Sequence, residues 1–149
     1  MEVRRVVTGV VGDKCVVLDD ARQTEPMRLD VPGWENFILW GTNPDGPVPL
    51  TEMPSGYPAM IPAPGGTLFT VWQLPPDEAG GNPFGMHQTD TIDFVVVLSG
   101  RVSLVLDGGD EVELSVGDTV VQGGGQHAWH NRTSEPCVMA VIVVGAARA

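Results

Sequence analysis

Two histidines and an aspartate are the residues of this chain best suited to do chemistry, and one short stretch holds two of them. From Gly85 to Gly100 the chain reads Gly-Met-His-Gln-Thr-Asp-Thr-Ile-Asp-Phe-Val-Val-Val-Leu-Ser-Gly. His87, Thr89, Thr91 and Asp93 fall two residues apart, so a strand here predicts all four on one face. An imidazole and a carboxylate on one face are candidate ligands for a first-row metal. Without a metal they are a candidate general acid–base pair, because histidine titrates near neutral pH. A second stretch, Gly117 to Asn131, supplies His127 in a glycine-rich turn ahead of another strand.

The elements that must position these residues read as short strands. Glu2–Val7 and Lys14–Leu18 flank Gly9–Asp13 as a hairpin, and Phe37–Trp40 is a third apolar burst. Residues 41–66 are rich in Pro and Gly yet too apolar for a disordered linker. They predict an ordered arm or lid packed on the body. Thr67–Leu74, Ile92–Leu98, Arg101–Leu106, Glu111–Leu114, Thr119–Gln122, His127–Asn131 and Cys137–Val144 complete the set. Strands at about ten-residue spacing with Gly turns predict an all-β sandwich or barrel. No longer stretch holds a helical period.

Composition narrows the function classes. At 149 residues a single domain with its own core is expected. A formal charge of −11 opposes binding to nucleic acid or to an anionic membrane. The longest apolar run, Val138–Val144, is too short to span a bilayer. No signal peptide pattern opens the chain. Cys15 and Cys137 lie far apart in apolar runs, which predicts two reduced thiols and a cytoplasmic protein.

The two stretches resemble the paired motifs of the cupin superfamily, small jelly-roll β-barrels. The first motif is G-x5-H-x-H-x3/4-E-x6-G. Gly81, His87, Thr89, Asp93 and Gly100 follow it, with Thr89 in the second His place and Asp93 in the Glu place. The second is roughly G-x5-P-x-G-x2-H-x3-N. Gly117, Gln122 in the Pro place, Gly124, His127 and Asn131 follow it, one residue shorter after the first glycine. His-x-Thr-Asp-Thr-x-Asp and His-Ala-Trp-x-Asn look like a subgroup of small single-domain cupins, some of which accompany natural-product or aromatic-compound pathways. The resemblance implies a cupin-type jelly-roll β-barrel with an N-terminal strand and arm extension. Residues 1–66 form the strands and arm or lid, and 67–149 the barrel core, within one structural domain.

Metal-binding cupins usually use three His and one Glu. Carried over, that set becomes His87, Asp93 and His127, a reduced site for Fe, Mn, Ni or Zn. Asp93 is one methylene shorter than the family's Glu, and Thr89 is a poor ligand. The alternative is a metal-free pocket in which His87 or His127 works with Asp93 as acid and base. Trp72, Thr89, Trp129, Phe84 and Trp40 are candidate substrate contacts, and Trp34, Trp40, Phe84 and Tyr57 candidate lid residues. His130 alternates to the opposite face and is left out of the site. Asp90 is expected to cap the turn with Thr89 or Thr91. Gly123–Gly125 is a tight turn; it lacks the setting of a P-loop. Four Trp and six Met against eight basic residues suit an apolar or aromatic ligand.

The expected function is therefore a small cupin enzyme on an apolar or aromatic metabolite. Dioxygenation, decarboxylation and isomerisation or dehydration stay open. A non-catalytic ligand-binding cupin is the rival of a different class. Cupins commonly pair through their N-terminal strands, so a homodimer is expected, with residues 2–18 and 41–66 as the candidate surface.

Overall fold

Strand β10 (Cys137–Gly145) organises the molecule. Its sequence, Cys-Val-Met-Ala-Val-Ile-Val-Val-Gly, is apolar on both faces: Cys137, Met139, Val141 and Val143 enter the core, and Val138 and Ala140 pack on a smaller outer cluster. It pairs antiparallel with β4 (Thr67–Leu74) and β5 (Thr91–Ser99). Outside these lie β3 (Glu35–Thr42) and β8 (Thr119–Gln122), giving a five-stranded sheet in the order β3-β4-β10-β5-β8. A second sheet holds β7 (Glu111–Ser115), β6 (Arg101–Leu106) and β9 (His127–His130), in the order β7-β6-β9. The N-terminal hairpin of β1 (Val3–Val11) and β2 (Lys14–Gln23) forms a separate two-stranded sheet. The computed structural model describes residues 1–54, 56 and 59–148. Among them the only helical element is a 3-10 turn at Asp77–Ala79. None of their helices is long and apolar enough to cross a membrane.

The inner faces of the two larger sheets meet in one core. Val95 and Val97 of β5, Met139, Val141 and Val143 of β10, and Leu104 of β6 are all buried there. Alternation sends Ile92, Phe94, Val96 and Leu98 of β5 to the outer face. A smaller cluster of Phe37, Leu39 and Val71 lies on that outer side, packed against Val3 of the hairpin. The burst at Phe37–Trp40 is thus an edge strand of the large sheet, and its pairing with β4 comes from residues before position 67.

Beyond Thr42, where β3 ends, the described residues of 41–66 are tied to the body near Leu50 and near Gly65. The Val10 N–H donates to the Leu50 carbonyl at 2.7 Å, and the Gly65 N–H to the Gly145 carbonyl at 2.9 Å. Gly100 shows why the first motif ends in glycine. Its φ is 75°, and a Cβ there would sit 2.6 Å from the Pro136 carbonyl oxygen. The β5–β6 turn presses on the start of β10, and only glycine allows both the turn and the approach.

The two cysteines differ in reactivity. Both are free thiols, Cys15 exposed and Cys137 buried. Burial pushes the Cys137 thiol up to about 11, so at about pH 8 it stays protonated and unreactive. Iodoacetamide on the native protein is expected to alkylate Cys15 alone. A doubly alkylated mass under native conditions would overturn this.

Candidate active site

The site forms where the chain crosses from one sheet to the other. The even spacing of His87, Thr89, Thr91 and Asp93 does not reflect one strand. β5 begins at Thr91. His87 instead makes an isolated antiparallel bridge with His127, their N–H and C=O groups exchanging two hydrogen bonds of 2.9 Å. His87 therefore extends the β9 sheet, and Asp93 faces it from the other. The crossing has the same length as a continuing strand, so spacing alone does not separate the two.

The two imidazoles are held alike. His87 Nδ1–H donates to the Gly85 carbonyl at 2.9 Å, and His127 Nδ1–H to the Gly125 carbonyl at 3.0 Å. A carbonyl only accepts, so both rings carry their proton on Nδ1 when neutral, and each Nε2 presents a lone pair. The ring centroids are 4.5 Å apart and tilted by 48°. Burial lowers the His127 pKa, and a charge on His87 lowers it further; the Gly125 hydrogen bond and Asp93 oppose the shift. The neutral ring is the favoured form.

Asp93 lies on the inner side of β5, Cα-paired with Gln122 of β8. Its Oδ1 is buried without a hydrogen-bond partner. Burial raises the carboxyl pKa; a hydrogen bond from Thr91 and the charges of His127 and His87 pull the other way. An imidazole whose pKa burial lowers and a carboxyl whose pKa burial raises thus share one region.

Gln122 completes the support, and sequence reasoning assigned it only the family's Pro place. It is buried. Its Nε2 donates to the Gly125 carbonyl at 3.0 Å, and its Oε1 accepts from the Gly124 N–H at 2.6 Å. The carbonyl that fixes His127 is itself held by this side chain. Gly124, with φ 81°, lets the turn approach the Thr91 and Thr89 carbonyls. An amide in place of a cyclic residue, next to a Gly-rich turn, was the available signal.

The aromatic candidates divide. Phe84 lies 5.9 Å from His87, and Trp129 meets His127 edge-on at 6.3 Å. Trp72 is on the inner face of β4, packed against the core. Trp40 is not at the site. A register shift between Ile38 and Trp40 turns it to the outer face opposite Phe69. Trp34 is a buried core residue and no lid, though it touches Phe84 edge-on at 5.6 Å. Tyr57 lies outside the described residues.

Three further residues have structural duties. Asp90 does not cap the turn; it pairs with Arg148, and Thr89 and Thr91 hydrogen-bond each other at 2.7 Å. His130 faces away from the site and meets Asp77 at 3.0 Å. Asn131, fully buried, donates from Nδ2 to the Leu74 and Glu135 carbonyls and accepts at Oδ1 from Thr133.

The donors do not make a three-ligand metal centre as they stand. Nδ1 held by a carbonyl with Nε2 free is the arrangement of a metal-ligating histidine, so two imidazoles are suitable. The family's next position is Thr89, whose hydroxyl is engaged by Thr91. Among the described residues, no three His, Cys, Asp or Glu side chains are grouped to hold a metal ion.

Comparison with known proteins agrees with this architecture. A family model described as "Cupin domain" matches residues 70–144. "Phomopsin biosynthesis cluster protein C'" of Diaporthe leptostromiformis is 36% identical over 109 residues, covering 68% of this chain and 56% of that protein. "Oryzines biosynthesis cluster protein J" of Aspergillus oryzae is 34% identical over 86 residues, 58% of this chain and 45% of that protein. The chain thus spans about half the length of these relatives. A crystal structure of a cupin superfamily protein from Desulfitobacterium hafniense superposes with a TM-score of 0.50 over 80% of this chain and 84% of that one, at 9% identity, a likeness of fold alone.

Proposed function

Since the chain belongs to the cupin domain family, we propose that it is an acid–base cupin moving a proton on an apolar small molecule of a secondary-metabolite pathway. The observation that carries this is the pair of imidazoles, each locked by its own glycine carbonyl with Nε2 free. His127, the more buried ring, is the base. Asp93 returns the proton, its buried Oδ1 without another partner. Phe84 and Trp129 flank the two rings and hold an apolar substrate between them. Removal of a proton at one carbon by His127 and delivery of the Asp93 proton at another is isomerisation; delivery of that proton to a departing hydroxyl, which leaves as water, is dehydration; the proton then passes from His127 to Asp93 to reset the pair. The pathway setting follows the relatives in the phomopsin and oryzine clusters. A homodimer and a cytoplasmic location belong to the same proposal.

A benzisoxazole whose ring opens when a base removes its C3 proton tests the base without a known substrate. The protein is expected to open it faster than free imidazole at equal concentration. His127→Gln is expected to lower that rate by about 100-fold, the scale of general-base catalysis. An unchanged rate in His127→Gln would sink the reading.

Metal titration tests the rival. Fe(II), Mn(II), Ni(II) and Zn(II) are each expected to bind weakly, since among the described residues no three ligating side chains are grouped to hold a metal ion. One tightly held metal per chain, lost in both His87→Ala and His127→Ala, would restore the His87, Asp93 and His127 centre and overturn the metal-free proposal.

A further inference from the structure

Asn36 is among the most buried polar side chains of the barrel, and its carboxamide makes no hydrogen bond. It is 1% exposed. Its backbone is satisfied by Met27, through bonds of 3.0 and 2.9 Å. Neither Nδ2 nor Oδ1 of the side chain has a partner, and the same holds for Thr70 Oγ1 and Trp72 Nε1. Buried polar atoms are normally paired, because burial strips off water and returns nothing. Asp93 Oδ1 shares this state but belongs to the acid–base centre. The other four atoms have no part in it.

These atoms share one surface. Phe37 and Val71 face the outer cluster, so alternation turns Asn36, Thr70 and Trp72 inward. Asn36 and Trp72 are direct partners in the β3–β4 ladder, which sets their Cβ atoms roughly 5 Å apart. Thr70 follows two residues along β4. A carboxamide presents a donor beside an acceptor, and an indole adds a second donor. Their complement is a planar group with an acceptor and a donor side by side. None of the eight basic residues lies on the five strands of the large sheet, so the complement is uncharged. β10 separates β4 from β5 and contributes Met139, Val141 and Val143. Register sets Asp93 level with Leu68, so Thr70, Trp72 and Asn36 stand two to three strand spacings across and two to four residues along from it, roughly 12 to 20 Å away, across an apolar stripe.

We propose that Asn36, Thr70 and Trp72 form a recognition subsite for an uncharged amide or lactam group of the substrate. The substrate is then an apolar body with an amide at one end and the reacting carbon at the other. This rests on the acid–base reading only in identifying the ligand as the substrate.

Two measurements on the full chain test it. Thermal unfolding compares the parent with Asn36→Leu and Thr70→Val, which remove the orphaned atoms with little change of shape. Both variants are expected to unfold at or above the parent temperature, because no partner is lost. NMR titration then compares benzamide with acetophenone, which keeps the carbonyl and lacks the N–H. Benzamide is expected to bind the parent about tenfold more tightly, with the preference lost in Asn36→Leu. Should Asn36→Leu fail to fold, a reduced preference in Thr70→Val supports the subsite and an unchanged one overturns it. Lower unfolding temperatures in both variants would show that buried water already satisfies these groups, overturning the proposal. Equal affinity for the two probes in the parent would do the same. Benzamide preference retained in His127→Gln separates the subsite from the base. The preference without any benzisoxazole turnover would remove the acid–base reading and leave the subsite standing.

Discussion

Replacing Asn131 by alanine is expected to cost about 3 kcal/mol or more, from unpaired buried groups and lost packing. In a chain of this size that lowers the unfolding temperature by roughly 10 °C. The side chain is 0% exposed, and it joins three parts of the fold. Nδ2 reaches the Leu74 carbonyl at 3.1 Å, at the end of β4, and the Glu135 carbonyl at 2.8 Å. Oδ1 accepts from the Thr133 N–H at 3.1 Å and its hydroxyl at 2.7 Å. The Asn131 backbone adds the Asp77 loop: its N–H donates to Asp77 Oδ1 at 3.0 Å, and its carbonyl accepts from the Asp77 N–H at 2.7 Å. Asn131→Asp separates hydrogen bonding from packing. It keeps the shape and the acceptor but turns an oxygen toward two carbonyls, so it is expected to destabilise as much as alanine. Calorimetry that finds Asn131→Asp near the parent would mean that packing alone matters here.

The homodimer we propose is expected to fall apart into monomers in Ile142→Lys, with the barrel still folded. The outer face of the large sheet carries Phe69, Ile142, Phe94 and Val121 in register across β4, β10, β5 and β8. They are 40%, 43%, 45% and 67% exposed. Leu98, Val96 and Ile92 extend the patch. β5 and β10 present no charged side chain on this side. A continuous apolar surface of this kind marks a contact site, and this one matches itself when two copies meet about a two-fold axis. A buried ammonium at its centre would raise the dissociation constant by about 100-fold or more. Light scattering of the parent and of Ile142→Lys reads the result directly. A parent that is monomeric, or a variant that stays dimeric, ends the proposal for this face. The N-terminal hairpin stands beside this patch, facing β3 and β4 and reaching Leu98 and Ala140.

Strands were readable because alternation and Gly turns are local signals. β5 at Thr91–Ser99 and β10 at Cys137–Gly145 lie within one or two residues of the expected spans. What sequence could not give was which face belongs to which side. Trp40 shows the reason: one extra residue between Ile38 and Trp40 reverses parity, and nothing in Phe-Ile-Leu-Trp announces it. His87 shows another. Spacing placed it beside Asp93 in the chain, and the fold places the two on facing sheets. The motif histidines were legible because their spacing is specific. Gln122 showed only as an amide in a cyclic residue's place, and Asn36 not at all, since a lone amide in a strand has no pattern and its meaning lies in whether a partner exists.

The bridge between His87 and His127 ties two unequally anchored partners. His127 is also paired with Leu106 of β6, and its ring is tied to the Gly125 carbonyl that Gln122 holds. His87 reaches the sheet through this bridge, and its ring rests on Gly85 of the same crossing segment. If that segment peels from the edge of β9, the His87 ring goes with it and the His127 ring stays. One imidazole is thus a fixture of the barrel, and the other comes and goes with a strap.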